Sequence, residues 1–304
     1  MTAPTQPQTQ PLFDSAFLRK LDRMALLMRR ALPGDVQGER RSPRRGSSVE
    51  FSDYRPYTAG DDIRQIDWNL YARMERVFLK MFVAEEELTV HLLVDCTPSM
   101  DWGEPNKFLY ARRVAGAFGY VALSSLDRVT VSAFGAGRGG VQLPGVRGKA
   151  GALPLFSFLQ RLSAASPGAP AGSLLDACRR YAHTARNAGP LLLCSDLLDP
   201  SWKEALRALT ARPFDITLVH VLAPQELRPE LDGDFRLIDI EGGAPVEITA
   251  DLETLRRYEA DLREWQAEIE SFCSGRGISY IVADTAVPIE DFVLSNLRRR
   301  GVVR

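Results

Sequence analysis

The segment Asp95-Cys96-Thr97-Pro98-Ser99 puts one carboxylate and two hydroxyls at alternate positions, directly after the apolar run Leu88–Val94. On a tight turn such a comb presents oxygen atoms to one point in space, and hard cations such as Mg²⁺ take oxygen ligands while keeping several waters. A second carboxylate, Asp196, follows the apolar run Pro190–Cys194, and Ser173 adds a hydroxyl where a helix is expected to begin. Asp95, Thr97, Ser99, Ser173 and Asp196 are therefore the candidate ligands of one divalent cation, Mg²⁺ or Mn²⁺.

A second constellation lies upstream. Asp53, Asp61, Asp62 and Asp67 are interleaved with Arg55, Arg64 and Arg73. A carboxylate cluster can carry metal-dependent hydrolysis, and Asp53, Asp61 and Asp67 are the residues that chemistry would use. The interleaved arginines favour a structural ion-pair network instead, because each carboxylate has a guanidinium within a few residues. Gly60-Asp61-Asp62 also suits a helix start. The glycine string Gly135 to Gly140 fits G-x-G-x-x-G, but strand- and turn-like residues follow it, so no helix N-terminus receives a pyrophosphate and a glycine-rich hairpin is expected. His91 and His220 sit inside apolar runs and read as core residues, and His183 is a lone helical histidine. No nucleophile–base arrangement is evident, and no enzymatic activity is expected.

Elements with a clear period must position these residues. Strands are expected at Leu88–Val94, Arg128–Phe134, Pro190–Cys194, Asp215–Leu222 and Ile278–Val282. Helices are expected near 106–126, 149–163, 173–187, 201–211 and 250–275. Runs such as LTVHLLV and ITLVHVL suit parallel strands buried on both faces. Their alternation with helices indicates a doubly wound sheet. Phe235–Ile240 reads as an edge strand, Arg76–Ala84 as another strand, and Asp14–Leu32 as a helix. Gly34–Ser48, with Arg40, Arg41, Arg44 and Arg45, reads as a solvated loop. Ligands of such sheets sit beyond the carboxyl ends of the strands, where Asp95 and Asp196 lie.

Composition narrows the class. The 304 residues are 45% hydrophobic and 25% charged, with a formal net charge of -1, so no global field favours nucleic acid or an anionic membrane. The four cysteines are scattered and fit small buried hydrophobes in a reducing compartment. No apolar run reaches the ~20 residues of a membrane span, and the opening residues lack a signal-peptide core. A cytoplasmic protein is expected.

The pattern D-x-[ST]-x-S, a hydroxyl before a middle helix and S/T-D after a later strand resembles the metal-ion-dependent adhesion site of von Willebrand factor A domains. By that resemblance Thr97 and Ser99 bind the metal directly, Asp95 and Asp196 act through waters, and Ser173 takes the place of a threonine. Thr97 in turn replaces the usual first serine. Upstream, Glu50-Phe51-Ser-Asp53-Tyr54-Arg55-Pro-Tyr57, Gly60-Asp61-Asp62-Ile63-Arg64-Gln-Ile66-Asp67-Trp68, Ala72-Arg73 and Glu85-Glu86-Glu87 resemble the signature of the bacterial DUF58 family. The resemblance runs from about Gly46 to Asp199. It implies a Rossmann-like, vWA-like α/β fold with a mostly parallel sheet flanked by helices and an N-terminal accessory segment. The implied organisation is a tail and helix over 1–33, a signature segment over 34–87, a vWA-like domain over 88–285 and a closing helix over 286–304. Within the signature, Asp61, Asp62, Arg64, Asp67 and Trp68 are expected to be structural, with Trp68 buried. The implied function is metal-dependent protein–protein recognition, in which a partner carboxylate completes the metal's shell. The partner is a MoxR-type AAA+ ATPase or its client, in assembly, maturation or stress response. The competing readings are a hydrolase or nuclease built on Asp53, Asp61 and Asp67, and a scaffold with a vestigial metal site.

Overall fold

Apolar runs of six to eight residues become the strands of a six-stranded sheet in the computed structural model, which describes residues 12–13, 15–30, 51–58, 61–82, 88–135, 140–166, 172–240 and 245–297. In chain order the strands are β1 (Phe51–Pro56), β2 (Phe78–Phe82), β3 (Thr89–Asp95), β4 (Arg128–Phe134), β5 (Val141–Arg147), β6 (Pro190–Ser195), β7 (Asp215–Leu222), β8 (Gly233–Leu237), β9 (Val246–Ala250) and β10 (Ser279–Asp284). The helices used below are α1 (Ser15–Arg30), α2 (Trp68–Met74), α3 (Lys107–Ser124), α4 (Ala152–Arg161), α5 (Leu174–Thr184), α6 (Trp202–Thr210), α7 (Pro224–Leu227) and α8 (Leu252–Ser274).

The main sheet has the order β10-β7-β6-β3-β4-β5, parallel throughout except for the antiparallel edge pair β4–β5. Counting only its own strands along the chain, this is the 3-2-1-4-5-6 order of a doubly wound sheet. The direction of winding reverses between β3 and β6. The fold is α/β, with a doubly wound and mostly parallel sheet, as the strand pattern requires. All seven residues of β3 are buried, because helices cover both faces.

One face carries Leu92, Val94, Val129 and Val131 against α3 and α4, joined by Phe17 and Leu21 of α1. The other carries Leu93, Leu191, Leu193 and Leu218 against α5, α6 and Ile269 and Cys273 of α8. Each fully buried leucine of this kind contributes about 2 kcal/mol of apolar transfer energy. In the tight packing between α3 and the sheet, a Cβ at Gly119 would come within 2.7 Å of Leu155 and 3.0 Å of Leu92. A side chain there is excluded by steric crowding rather than by backbone conformation.

Phe235–Ile240 is not an edge strand of this sheet. Gly233–Leu237 pairs with Val246–Ala250 as a separate antiparallel ribbon, and its exposed residues, with only Phe235 partly covered, suit a two-stranded surface element rather than a core edge. The glycine string opens as expected for a hairpin. Gly135 has φ +92° and lies against the Thr97 backbone, where a Cβ would come within 2.6 Å of Thr97 N. β5 then returns antiparallel to β4, while residues 136–139 lie outside the described set.

Two compact units are distinguishable, one of residues 29–87 and one of 1–28 with 88–304. The smaller holds the antiparallel pair β1–β2 and α2. The loop with Arg40 to Arg45 and the acidic run Glu85 to Glu87 lie outside the described residues.

Candidate cation site at the carboxyl ends of β3 and β6

Where the winding reverses, a short hydrogen bond joins the ends of β3 and β6. The Ser195 hydroxyl, at the end of β6, donates to Asp95 Oδ2, at the end of β3, over 2.6 Å. Asp95 Oδ1 accepts the backbone N–H of Thr97 at 2.9 Å, which fixes the carboxylate against its own turn. Thr97 and Ser99 hydroxyls lie 3.0 Å apart. The turn holds its shape because Cys96 N donates to Phe134 O at the end of β4, and Gly135 lets that strand end approach Thr97 closely.

Asp95, Ser99 and Asp196 are all buried. Burial, followed by the negative charge of Asp196, pushes the Asp95 carboxyl up to about 7. The charge of Asp196 thus adds to the cost of ionising the buried Asp95, a cost that a cation relieves.

A cation of the protein's own is already in contact with Asp196. Lys107, the first residue of α3, is fully buried, and its Nζ donates to Asp196 Oδ2 at 2.9 Å and to Glu226 Oε1 of α7 at 2.6 Å. Burial alone would lower the pKa of the ammonium, but Asp196 and Glu226 together raise it above the ordinary value. Glu226 Oε2 accepts Ala223 N, which ties the loop after β7 into the same network. His220 Nε2 contacts the Asp196 carbonyl at 3.0 Å while its Nδ1 meets the Tyr280 hydroxyl at 2.7 Å. Burial lowers this imidazole to about 4, so it is neutral at pH 7 and holds the Asp196 backbone as a Nε2–H donor.

Ser173 stands in a neighbouring network. Its Oγ caps α5 by accepting Leu175 N at 3.1 Å and lies 3.4 Å from Ser201 Oγ. Asp199 joins the two by accepting Leu174 N at 2.8 Å and the Ser201 hydroxyl at 2.6 Å. Among the described residues no hydrogen bond joins Ser173 to Asp95, Thr97, Ser99 or Asp196. The structure places Asp95, Thr97 and Ser99 on the turn after β3 and Asp196 after β6, with Ser195, Lys107, Glu226 and His220 as their partners, and places Ser173 at the start of α5, where its Oγ also caps the helix.

Among the described residues no three His, Cys, Asp or Glu side chains form a ready ligand group, so a cation here must draw on hydroxyls. The donor set is suited to a hard one. In an octahedron with ligands at about 2.1 Å, neighbouring oxygens are about 3 Å apart, and Thr97 and Ser99 Oγ have that spacing. The four cysteines are free and buried, with thiols pushed up by burial, and offer neither a soft ligand nor a nucleophile.

The signature residues of the smaller unit do local structural work. Asp67, buried, caps α2 by accepting Asn69 N and Leu70 N, and also accepts the Tyr54 hydroxyl at 2.9 Å. Asp62 caps a 3₁₀ turn by accepting Arg64 N, and the Arg64 side chain is exposed. Arg55 pairs with Asp61 at 2.7 Å. Among the described residues the expected ion-pair network includes the Arg55–Asp61 pair, while Asp62 and Asp67 act as caps, because each precedes a helical turn whose free N–H groups claim it. Asp53 lies on β1 opposite Met81. Trp68 is 62% exposed, contrary to the expected burial. As the first residue of α2 it stands edge-on to Tyr71 on the outer side of the short helix.

Residues 53–268 match a family described as "Protein of unknown function DUF58". The uncharacterized protein Rv1480 of Mycobacterium tuberculosis is 28% identical over 300 residues, covering 95% of this chain and 91% of that protein. The uncharacterized protein Mb1516 of Mycobacterium bovis matches to the same extent. Among solved structures, BatB from Bacteroides thetaiotaomicron aligns with a TM-score of 0.41 at 15% identity, over 71% of this chain and 99% of that one. The SpRpn10 VWA domain aligns with a TM-score of 0.39 at 9% identity, over 69% and 94%.

Proposed function

The chain belongs to the DUF58 family, and on that premise we propose that it is a non-enzymatic protein-interaction module whose strand-end site holds a divalent cation, Mg²⁺ or Mn²⁺. The observation that carries this reading is the Asp95–Ser195 bridge across the point where the sheet's winding reverses, the place where doubly wound sheets receive ligands. Thr97 and Ser99 would supply direct oxygens, and Asp95 and Asp196 would orient water. When bound, the cation supplies a short-range positive charge that an incoming carboxylate can meet.

The protein's own residues prepare that contact. Ser195 and Thr97 hold Asp95 in place, and His220 and Lys107 hold Asp196. The burial of the carboxylates keeps bulk water from competing for them. The signature carboxylates Asp61, Asp62 and Asp67 are occupied by backbone N–H groups and neighbours, which favours a structural role over hydrolysis. Among the described residues no helix is long and apolar enough to cross a membrane, and we place the module in the cytoplasm.

The partner we propose is a MoxR-type AAA+ ATPase or its client, presenting an aspartate or glutamate in an assembly, maturation or stress-response step. Surface plasmon resonance of a MoxR-type ATPase over the immobilised full chain tests it. Binding should require Mg²⁺ and vanish in EDTA. Equal affinity in EDTA overturns the metal requirement.

A further inference from the structure

We propose that the ribbon β8–β9 is a self-association surface: β8 pairs antiparallel with β8 of a second copy of this chain, joining two ribbons into one four-stranded sheet. The inference is independent of the cation reading above.

The register of the ribbon sorts its side chains onto two faces. Gly233, Phe235 and Leu237 share a face with Ala250, Ile248 and Val246, their partners across the pair, while Asp234 and Arg236 share the other with Thr249 and Glu247. The first face is apolar and is well covered only at its inner end. Ala250 is buried there, and Asp251 beside it caps α8 by accepting Thr254 N at 2.7 Å. At the outer end Leu237 and Val246, directly opposite one another, are 45% and 56% exposed, and the next residue, Ile238, is 76% exposed. Two strands alone are marginally stable in water, and further strands that share the apolar face stabilise them. Among the described residues β8 has no strand neighbour besides β9. In an antiparallel ribbon about half of each strand's N–H and C=O groups point away from its partner, so β8 presents a row of them along its outer edge.

The order of charges decides what fits that edge. Turned about a twofold axis at Phe235, a second β8 sets Asp234 opposite Arg236 on both sides of the axis. Opposite charges directly across an antiparallel pair stabilise it, and like charges oppose it. A parallel pairing in register would set Asp234 against Asp234 and Arg236 against Arg236, so the charges select the antiparallel one. The edge of β9 has no such complement, because turning it about Ile248 sets Glu247 opposite Thr249. The β8 pairing also brings Leu237 opposite Gly233 of the second copy. A Cβ at Gly233, where φ is +97°, would meet nothing within 4 Å, so this position leaves room for the leucine. Leu237 is then covered on two sides, by Val246 of its own ribbon and by the second copy.

Two charge reversals test the register without touching the main sheet. Arg236→Asp gives an edge with two acids, and Asp234→Arg gives one with two bases. Each sets like charges opposite one another when paired with itself, and opposite charges when paired with the other. Sedimentation velocity of the full chain over about 1–100 µM reads the association, and circular dichroism checks the fold. EDTA in the buffer keeps the result separate from any bound cation. The parent should form a dimer, and each reversal should self-associate at least about tenfold more weakly. An equimolar mixture of the two reversals should associate about tenfold more tightly than either alone. Leu237→Lys, which puts a charge on the face to be covered, should weaken the dimer as well and carries the test if a reversal fails to fold. A parent that stays monomeric over this range overturns the inference. A dimer that persists in both reversals overturns it too, as do two monomeric reversals that stay apart when mixed.

Discussion

Removing the Asp196 carboxylate should destabilise the protein strongly, although the residue sits on a loop. Asp196→Ala leaves the Lys107 ammonium, fully buried, with Glu226 alone. At 2.9 Å and an effective dielectric near 20, the lost attraction is about 6 kcal/mol, partly offset by the desolvation that the pair no longer suffers. Breaking a buried pair from one side costs about 3–5 kcal/mol, and the surviving Glu226 contact puts the expected loss near the lower figure. Asp196→Asn keeps an oxygen for the ammonium and should lose less. Combining Lys107→Met with Asp196→Ala removes both charges, so the double variant should be more stable than the sum of the single losses by about 2–3 kcal/mol. Urea titration in EDTA, read by hydrogen exchange of the β6 and β7 amides, measures this sheet without a contribution from bound cation. A loss below about 1 kcal/mol for Asp196→Ala, or no coupling with Lys107, refutes the reasoning that a sealed ion pair anchors the site.

Acid should also weaken the fold. His91 and His220 are held near 4 by burial, so between about pH 6.5 and 4 the unfolded chain takes up two protons that the folded chain refuses. Asp95, raised to about 7, works in the opposite sense and releases one proton on unfolding in that window. The net uptake of one proton makes stability fall by about 1.4 kcal/mol per pH unit on acidification, and Asp95→Asn should about double that slope. Urea midpoints across pH 4–6.5 check it, and a flat profile contradicts it. In the smaller unit, Asp67→Ala removes the α2 cap and the acceptor of the Tyr54 hydroxyl, for a loss of about 1–3 kcal/mol measured by hydrogen exchange of β1 and β2. An unchanged β1–β2 would show that the cap is dispensable. Leu192→Ala, at a fully buried position of β6, should cost about 2–5 kcal/mol in the same titrations, and a loss under 1 kcal/mol would mean that the sheet repacks around it.

The central strands were legible because burial on both faces demands apolar runs, and β3, β4, β6, β7 and β10 have them. Their helices were legible from the 3.6-residue period. The β1 strand, Phe-Ser-Asp-Tyr-Arg-Pro, escaped because it carries charge at positions that a buried strand would fill with apolar groups. The ribbon β8–β9 was half seen and wrongly placed, since alternation marks a two-sided strand without saying which sheet it joins. At the site, the carboxylates and hydroxyls were visible because they follow strand ends. Lys107 was not, because lysine ordinarily belongs to the surface and the Asp196 and Glu226 that bury it are 89 and 119 residues away. The available signal was a lysine at a helix start, against the dipole. Trp68 misled in the other direction: it was expected buried among the structural signature residues, but a seven-residue helix capped by Asp67 leaves its first side chain outside.

The most direct test of the central claim is calorimetric titration of Mn²⁺ into the full chain and into Asp95→Ala/Ser99→Ala. Parent protein should bind one ion and the double variant none, with millimolar Mg²⁺ raising the Tm of the parent alone. Matching isotherms for the two proteins would mean that any cation is held elsewhere and that the crevice between β3 and β6 is not a metal site.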